Sequence, residues 1–392
     1  MSKIKYTAPL LLACALPAMA ADWQSRGSLT DGALTLNGEY THYLQSVTSG
    51  SDDSSAKNAH RLDAFISAST EKMGLWEGGS FHSQVVYRKN DANDLGFTTA
   101  THTNAAFYGD KFDSPFVSSF FYTHGFDNGS RLILGKIDAI ELISRAPFYG
   151  GAARYGFNNL NFVAPPSGVT PPSFAGAVYS FKTDHLNWTA MLYDPRDRYE
   201  ANLNFKELFK DGVNASIGAT YPTQLFGRNT SIGLNATYST EEGTDWLSIA
   251  SDELKTNAGK YNIRAQFTHN FVEQGHNAWG LFLRGSVADG NPNLLSGSFA
   301  GGVGGDALFF NRPQDKWGLG YFYANIANDM QTRAEELGLD VKDEHGFEAF
   351  YAYQALPWLT FTADVQYRNI QTLTAEKETN ATIVGLRTNI KL

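Results

Sequence analysis

Apolar and polar residues alternate along most of this chain with a period of two. In 359–368, Leu359, Phe361, Ala363, Val365 and Tyr367 alternate with Thr360, Thr362, Asp364, Gln366 and Arg368. In 380–392, Thr382, Val384, Leu386, Thr388, Ile390 and Leu392 alternate with Ile383, Gly385, Arg387, Asn389 and Lys391. In 261–271, Tyr261, Ile263, Ala265, Phe267, His269 and Phe271 alternate with Asn262, Arg264, Gln266, Thr268 and Asn270. Successive strand residues point to opposite faces, so each segment has one apolar and one polar face. About sixteen such segments are expected, at 32–47, 58–69, 79–89, 116–125, 130–137, 174–182, 186–194, 212–221, 230–240, 260–271, 277–288, 297–309, 316–326, 346–355, 359–370 and 380–392.

The connections alternate in length. Asp127-Asn128-Gly129, Thr183-Asp184 and Leu356-Pro357-Trp358 are tight, with Asp and Gly suited to left-handed backbone. The connections 90–114, 138–173, 241–259, 327–345 and 371–379 are long and polar. Short turns at one end and long loops at the other are the layout of a transmembrane antiparallel β-barrel, whose strands of roughly ten residues span the bilayer when tilted. A soluble propeller would repeat a motif every 40–50 residues or so, and no such repeat is present. No Pro/Ser-rich linker divides the chain, so residues 21–392 read as one barrel domain.

Composition and charge sharpen this picture. No stretch after Ala21 is apolar for eighteen residues, so no transmembrane helix is expected. Aromatics make up 14% of the chain and glycines number 37, which suits interfacial girdles and a crowded lumen. Residues 1–20 read as a cleaved secretory signal. Lys3 and Lys5 precede the apolar run Ala8 to Pro17, and Ala18-Met19-Ala20 is the small-x-small site. Leu11-Leu12-Ala13-Cys14 imitates a lipoprotein site, with a poor second residue. Cys14 is the only cysteine, so the mature chain has no thiol or disulfide. Without the leader, 29 basic residues face 40 acidic ones, a formal charge of −11, which argues against nucleic-acid binding.

Several ordered motifs resemble one family. Leu134-Gly135-Lys136-Ile137-Asp138 leads into a loop carrying Asn158-Asn159-Leu160-Asn161-Phe162-Val163-Ala164-Pro165 and a proline-rich run to Pro172. Downstream come Ala288 to Asn293, a Gly-rich strand ending Gly301 to Gly305, and Phe310 to Tyr323. Together they resemble the carbohydrate-selective porins of Gram-negative outer membranes, often called OprB. The resemblance implies a sixteen-stranded barrel that admits glucose and other small sugars, with one inward loop narrowing the channel. Leu392 departs from the aromatic terminus that barrel-assembly machinery commonly reads.

A porin needs a lining that exchanges hydrogen bonds with its solute and releases it. Strand parity places Arg264, Arg284, Arg368 and Arg387 on polar faces, and Arg88 likewise, with His82 and Gln84. They are candidates for solute contact or for pairing inside the barrel with acids such as Asp63, Glu348 and Asp364. The 138–173 loop is the candidate constriction, because loops of such length are usually functional or disordered. Its Phe148, Tyr149, Tyr155, Phe157 and Phe162 disfavour disorder. Asp138, Glu141, Arg145, Arg154, Asn158 and Asn159 are its polar groups. Arg131 and Lys136 lie on opposite faces, so only one of them can face water.

Catalysis finds little support. His82 and Ser83 are adjacent and point apart, and the nine histidines form no zinc motif. Neither metal nor cofactor is expected. Gly301 to Gly305 lacks a following Lys, so it reads as space cleared beside a loop or as a bend in the sheet. Trp76, Trp188, Trp279, Trp317 and Trp358 read as girdle or lipid-facing residues, with Trp358 at the periplasmic end. The expected partners are small sugars and outer-membrane lipid, and the barrel could be a monomer or a homotrimer. A general or organic-acid-preferring porin, an outer-membrane enzyme and a structural barrel stand as alternatives.

Overall fold

The structure is a computed structural model. It describes residues 28–29, 32–50, 55–91, 95, 97–109, 111–143, 148, 151–370, 373 and 379–392. The expected signal peptide and its cleavage site lie outside the described residues, as do Arg145 and Tyr149.

After a two-residue strand, β1 (Ser28–Leu29), come sixteen long strands. They are β2 (Leu34–Ser49), β3 (Lys57–Ser69), β4 (Gly79–Asn90), β5 (Phe116–Gly125), β6 (Arg131–Asp138), β7 (Ser173–Lys182), β8 (Asn187–Tyr193), β9 (Asn214–Leu225), β10 (Arg228–Thr244), β11 (Thr256–Gln274), β12 (Asn277–Ala288), β13 (Leu295–Ala307), β14 (Arg312–Ile326), β15 (Glu344–Leu356), β16 (Leu359–Ile370) and β17 (Thr379–Lys391). Each pairs antiparallel with its sequence neighbour, and β17 pairs with β2, which closes the barrel. Closure removes the free edges that an open sheet of this size would expose. Short helices α1 (Ala139–Ile143), α2 (Leu160–Val163) and α3 (Asn328–Glu336) lie in the connections at one end.

All sixteen expected segments correspond one to one with β2–β17. Boundary differences reach four residues, at the end of β9, the start of β14, and at β10 and β11, which run on to Thr244 and back to Thr256 and leave only 245–255 between them. The β10 and β11 extensions are polar on both faces, so alternation fades while the backbone pairing continues.

Burial is inverted relative to a soluble protein. On β16, Thr362, Asp364, Gln366 and Arg368 are buried, whereas Phe361, Val365 and Tyr367 are exposed. The apolar set faces outward to form the belt that a bilayer would cover. Trp76, Trp188, Trp279 and Trp358 sit in or close to the short turns, and Trp317, further along β14, packs its ring 5.0 Å from that of Phe309 in the turn before it. Trp279 and Trp317 rings lie 5.7 Å apart, and Trp76 donates to the Tyr122 hydroxyl at 2.7 Å. Such amphipathic rings settle at a membrane interface.

The wall is incomplete at one point. β5 and β6 pair only from Phe120 and Lys136 downward. Above that pair, residues 199–202 of the β8–β9 connection fill the gap. Lys136 donates to the carbonyls of Val117 at 2.6 Å, Asn202 at 2.9 Å and Tyr199 at 3.2 Å. Val117 donates its N–H to Asn202 Oδ1 at 2.9 Å. Lys136 is therefore the buried member of its pair with Arg131, which is exposed.

Candidate functional site

Three connections from the long-loop end turn into the barrel, and the inward-facing charges of the strands hold them there. The longest is 139–172, and its residues 151–172 follow the inner wall from β2 and β3 round to β8. Its ends are tied by Ala139 N–H donating to Pro172 O at 2.7 Å. Near β2, β3 and β17, Arg154 is buried beside Glu39 at 3.3 Å and Asp63 at 3.9 Å, and it donates to Glu141. Burial alone would lower the Arg154 pKa, but Glu141, Asp63 and Glu39 together raise it well above its ordinary value. Tyr43 and Arg387 each donate to Ala153 O at 2.8 Å. Arg387 also reaches Gly156 O at 2.8 Å and Asn158 Oδ1.

Further round the wall, Glu348 on β15 accepts from the backbone N–H groups of Asn158 at 2.5 Å and Asn159 at 2.9 Å. The Asn159 side chain caps α2 by accepting from Asn161 N–H at 3.0 Å, the usual role of Asn before a helix. Arg284 on β12 donates to Asn161 O at 2.6 Å. Ser167 then meets Ser286 and Ser298, at 2.5 and 2.9 Å. Asn262 donates to Ser167 O at 3.0 Å and Asn214 to Val169 O at 3.2 Å, and Thr170 meets the Tyr193 hydroxyl at 2.6 Å.

Apolar packing fixes the middle of this loop. Phe157 and Phe162 are fully buried, stacked 4.3 Å apart, and edged by Phe282, Phe322 and Phe350 of the wall. The wall makes room with glycine. A Cβ at Gly320 would lie 2.5 Å from the Phe162 ring, and one at Gly318 would lie 2.7 Å from the Phe157 ring. Within the run Gly301 to Gly305, a Cβ at Gly304 would meet Phe148 O at 3.5 Å, an ordinary contact. Clearance for the loop thus comes mainly from β14.

The connection 91–115 lies inward as well, which its sequence gave no reason to expect. Glu344 accepts from Ala100 N–H at 2.6 Å and from Thr101 N–H at 3.0 Å. Arg368 donates to Thr101 O at 2.8 Å and to Glu344 at 3.0 Å. The Arg368 and Glu344 side chains have no exposed surface. Such a pair is held by its hydrogen bonds, since Coulomb attraction alone barely offsets desolvation. The third inward connection, 194–213, brings Glu200 to Arg88 and the Tyr199 hydroxyl to Arg61 at 3.2 Å. The Arg88 guanidinium also lies 5.0–5.3 Å from the ring centres of Phe112, Phe116 and Tyr199.

The residues expected to line a pore therefore divide in two. Arg88, Arg154, Arg284, Arg368, Arg387, Asn158, Asn159 and Glu348 are buried and fasten the inward loops to the wall. Asp138 is buried too, and it accepts from the Ile140 and Glu141 N–H groups at 3.0 and 3.1 Å to start α1. Glu141 is partly exposed. Arg264 instead borders a cavity of about 440 Å3 inside the barrel. Ser216, Asn235, Thr237, Lys260 and Asn262 border it on the same wall. Register makes these a contiguous patch, with Ser216 opposite Thr237, Thr237 opposite Asn262 and Asn235 opposite Arg264. Strand parity already placed Asn262 and Arg264 on a polar face, but the cross-strand alignment of this patch is not visible in the sequence.

A closed sixteen-stranded antiparallel barrel is also what the comparisons find. A family model described as "Carbohydrate-selective porin, OprB family" matches residues 53–392. The chain belongs to the carbohydrate-selective porin (OprB) family. No curated protein matches it. The high-pH structure of Pseudomonas putida OprB is similar with a TM-score of 0.81 at 17% identity, over 95% of this porin and 97% of that chain. The low-pH structure of the same protein gives a TM-score of 0.58 at 15% identity, over 95% and 98%. At such identities the likeness concerns the fold. The porin is thus an outer-membrane β-barrel, a channel by family and by architecture.

Proposed function

We propose that this porin, exported by its N-terminal signal, lets small sugars of about the size of glucose diffuse passively into the periplasm. The loops 91–115 and 139–172 narrow the lumen, and the β9–β11 wall with Arg264 contacts the solute. One observation carries this reading. Most of the inner wall is fastened to loops, while on β9–β11 Asn214 and Asn262 hold the loop and Ser216, Asn235, Thr237, Lys260 and Arg264 beside them border open space of about 440 Å3. Asn, Ser, Thr and Arg side chains on a fixed wall can exchange hydrogen bonds with hydroxyls in passing without holding them tightly. The outward apolar belt takes outer-membrane lipid, and the C-terminal strand is what the assembly machinery reads.

An anion-preferring porin is the second reading, favoured by Arg264 and Lys260 at the cavity. Its charge is tempered, because Lys260 pairs with Glu241 at 2.6 Å and Asp197 borders the same space. Liposome swelling separates the two. Glucose is expected to enter at rates close to those of small organic acids or above them. Swelling in organic acids but not in sugars would replace the sugar reading with the anion one.

A further inference from the structure

The outer wall is low between β5 and β9. β6 has eight residues and β8 seven, whereas a tilted strand needs about 9–11 to cross the hydrocarbon of a bilayer. Leu134, Ala177 and Leu192 share one rung across β6, β7 and β8. Leu134 and Leu192 are 43% and 54% exposed, as outward residues of a lipid belt should be. Two residues further toward the long loops, the same outward parity falls on Lys136, Ala175 and Asp194. All three are buried. Two charges would face the bilayer here if nothing lay over them.

Residues 199–209 of the β8–β9 connection lie over them and are tied to them. Lys136 donates to the carbonyls of Asn202 at 2.9 Å and Tyr199 at 3.2 Å. Asp194 accepts from the Phe209 N–H at 2.6 Å and from Arg198 at 3.2 Å. Arg198 also donates to the carbonyls of Asn204 at 2.7 Å and Lys206 at 3.3 Å. Irregular backbone is tolerated beside hydrocarbon only where its polar groups find partners within the protein. The buried charges supply such partners, and the segment keeps those charges from lipid. Its exposed side is largely apolar. Leu203, Phe205, Leu208 and Phe209, four of the seven residues 203–209, are each 38–48% exposed. Lys206, Glu207 and Lys210 beside them are long enough to lay their stems along apolar surface and carry their charges to headgroup level.

We propose that residues 203–209 form a membrane-seated saddle over the low wall, with Leu203, Phe205, Leu208 and Phe209 packed against lipid acyl chains at the long-loop end of the barrel. The occupant is outer-membrane lipid, because the patch continues the exposed rung of Leu134 and Leu192 at the level where β6 and β8 run out. A second copy of the chain would not need the strands to be supplemented in this way. The inference is independent of which solute the channel passes.

The test uses the chain of residues 21–392, which has no cysteine, with a small fluorophore on Phe205→Cys, reconstituted in phosphatidylcholine vesicles. Part of the lipid carries a nitroxide near the glycerol end of one acyl chain, and iodide on both sides of the membrane is the aqueous quencher. Leu192→Cys, on the exposed rung, and Asp252→Cys, exposed in the connection 245–255, serve as the lipid and water references. Nitroxide lipid is expected to quench Phe205→Cys as deeply as Leu192→Cys, and iodide to quench it far less than Asp252→Cys. Leu208→Cys carries the same expectation should the first variant fail to fold. Quenching by iodide at the Asp252→Cys level, with none by nitroxide lipid, places the segment in water and overturns the inference. Protection from both quenchers means that protein covers the patch, which overturns it as well.

Discussion

Replacing Gly320 by alanine tests whether the inward loop is seated where the aromatic packing puts it. The new Cβ would lie 2.5 Å from one carbon of the Phe162 ring and 2.9 Å from the next. Carbon atoms settle at about 3.5–4.0 Å, so the ring must retreat by about 1 Å. It has little room, because Phe157 is stacked at 4.3 Å and Phe282 and Phe322 edge it at 6.4 and 5.8 Å. Overpacking of this kind costs about 1–3 kcal/mol. Phe162 is one residue from Asn161, whose carbonyl Arg284 holds, so the strain reaches the loop's polar anchor. The assay is a double-mutant cycle on urea unfolding of the folded barrel, with Gly320→Ala, Phe162→Ala and both together. Gly320→Ala alone should lower stability by about 1–3 kcal/mol, and in the Phe162→Ala background it should cost nearly nothing. Equal costs in both backgrounds would refute the packing argument, since the glycine would then not be clearing space for that ring.

Three further outcomes follow from the site. Arg387→Met removes three donated hydrogen bonds to the loop and should release residues 153–158 at a cost on the order of 3 kcal/mol, read as noisier and larger single-channel steps. Arg264→Gln should shift the ratio of chloride to potassium permeability toward potassium, by more at low salt than at high salt, and reversal potentials in a salt gradient check it. Asp194, in the β8–β9 connection, has its pKa lowered: burial alone would raise it, but hydrogen bonds from Arg196 and from the Phe209 N–H outweigh that. A carboxylate held below its ordinary value of about 3.9 stabilises the fold above that pH and loses the contribution as pH falls through the native pKa. Hydrogen exchange of residues 194–213 should therefore rise on acidification below about pH 4, and Asp194→Asn should abolish that dependence while raising exchange at neutral pH.

Much of the barrel was legible because a membrane strand has one lipid face. Outward residues such as Phe361, Val365 and Tyr367 must be apolar, so β16 could be bounded at 359–370 from sequence alone. Where lipid ends, the rule ends. β10 and β11 extend past the belt with polar residues on both faces, and alternation could not follow them. Inward polarity is ambiguous for a related reason. Arg264 and Arg368 have the same parity, yet one borders the cavity and the other is sealed against Thr101 and Glu344. That difference is made by chain more than two hundred residues distant, and no local pattern records it. The 91–115 loop escaped notice because its anchors, Ala100 N–H and Thr101 N–H, are backbone groups. Gly318 and Gly320 stood inside the motif that carried the family resemblance, but their role required knowing where Phe157 and Phe162 lie.

The central claim is that solute passes beside β9–β11 and not behind the fastened loops. Residues 21–392 contain no cysteine, so single introduced thiols in a protein of those residues report access without background. We would introduce Asn235→Cys and, separately, Gln366→Cys, and follow single-channel current while adding a small charged thiol reagent. Asn235 borders the cavity, whereas Gln366 is buried under Thr103 and Asn159. The account predicts that Asn235→Cys is modified promptly with a lasting fall in conductance, while Gln366→Cys does not respond. A silent Asn235→Cys beside a reactive, current-blocking Gln366→Cys would contradict it and move the route to the opposite wall.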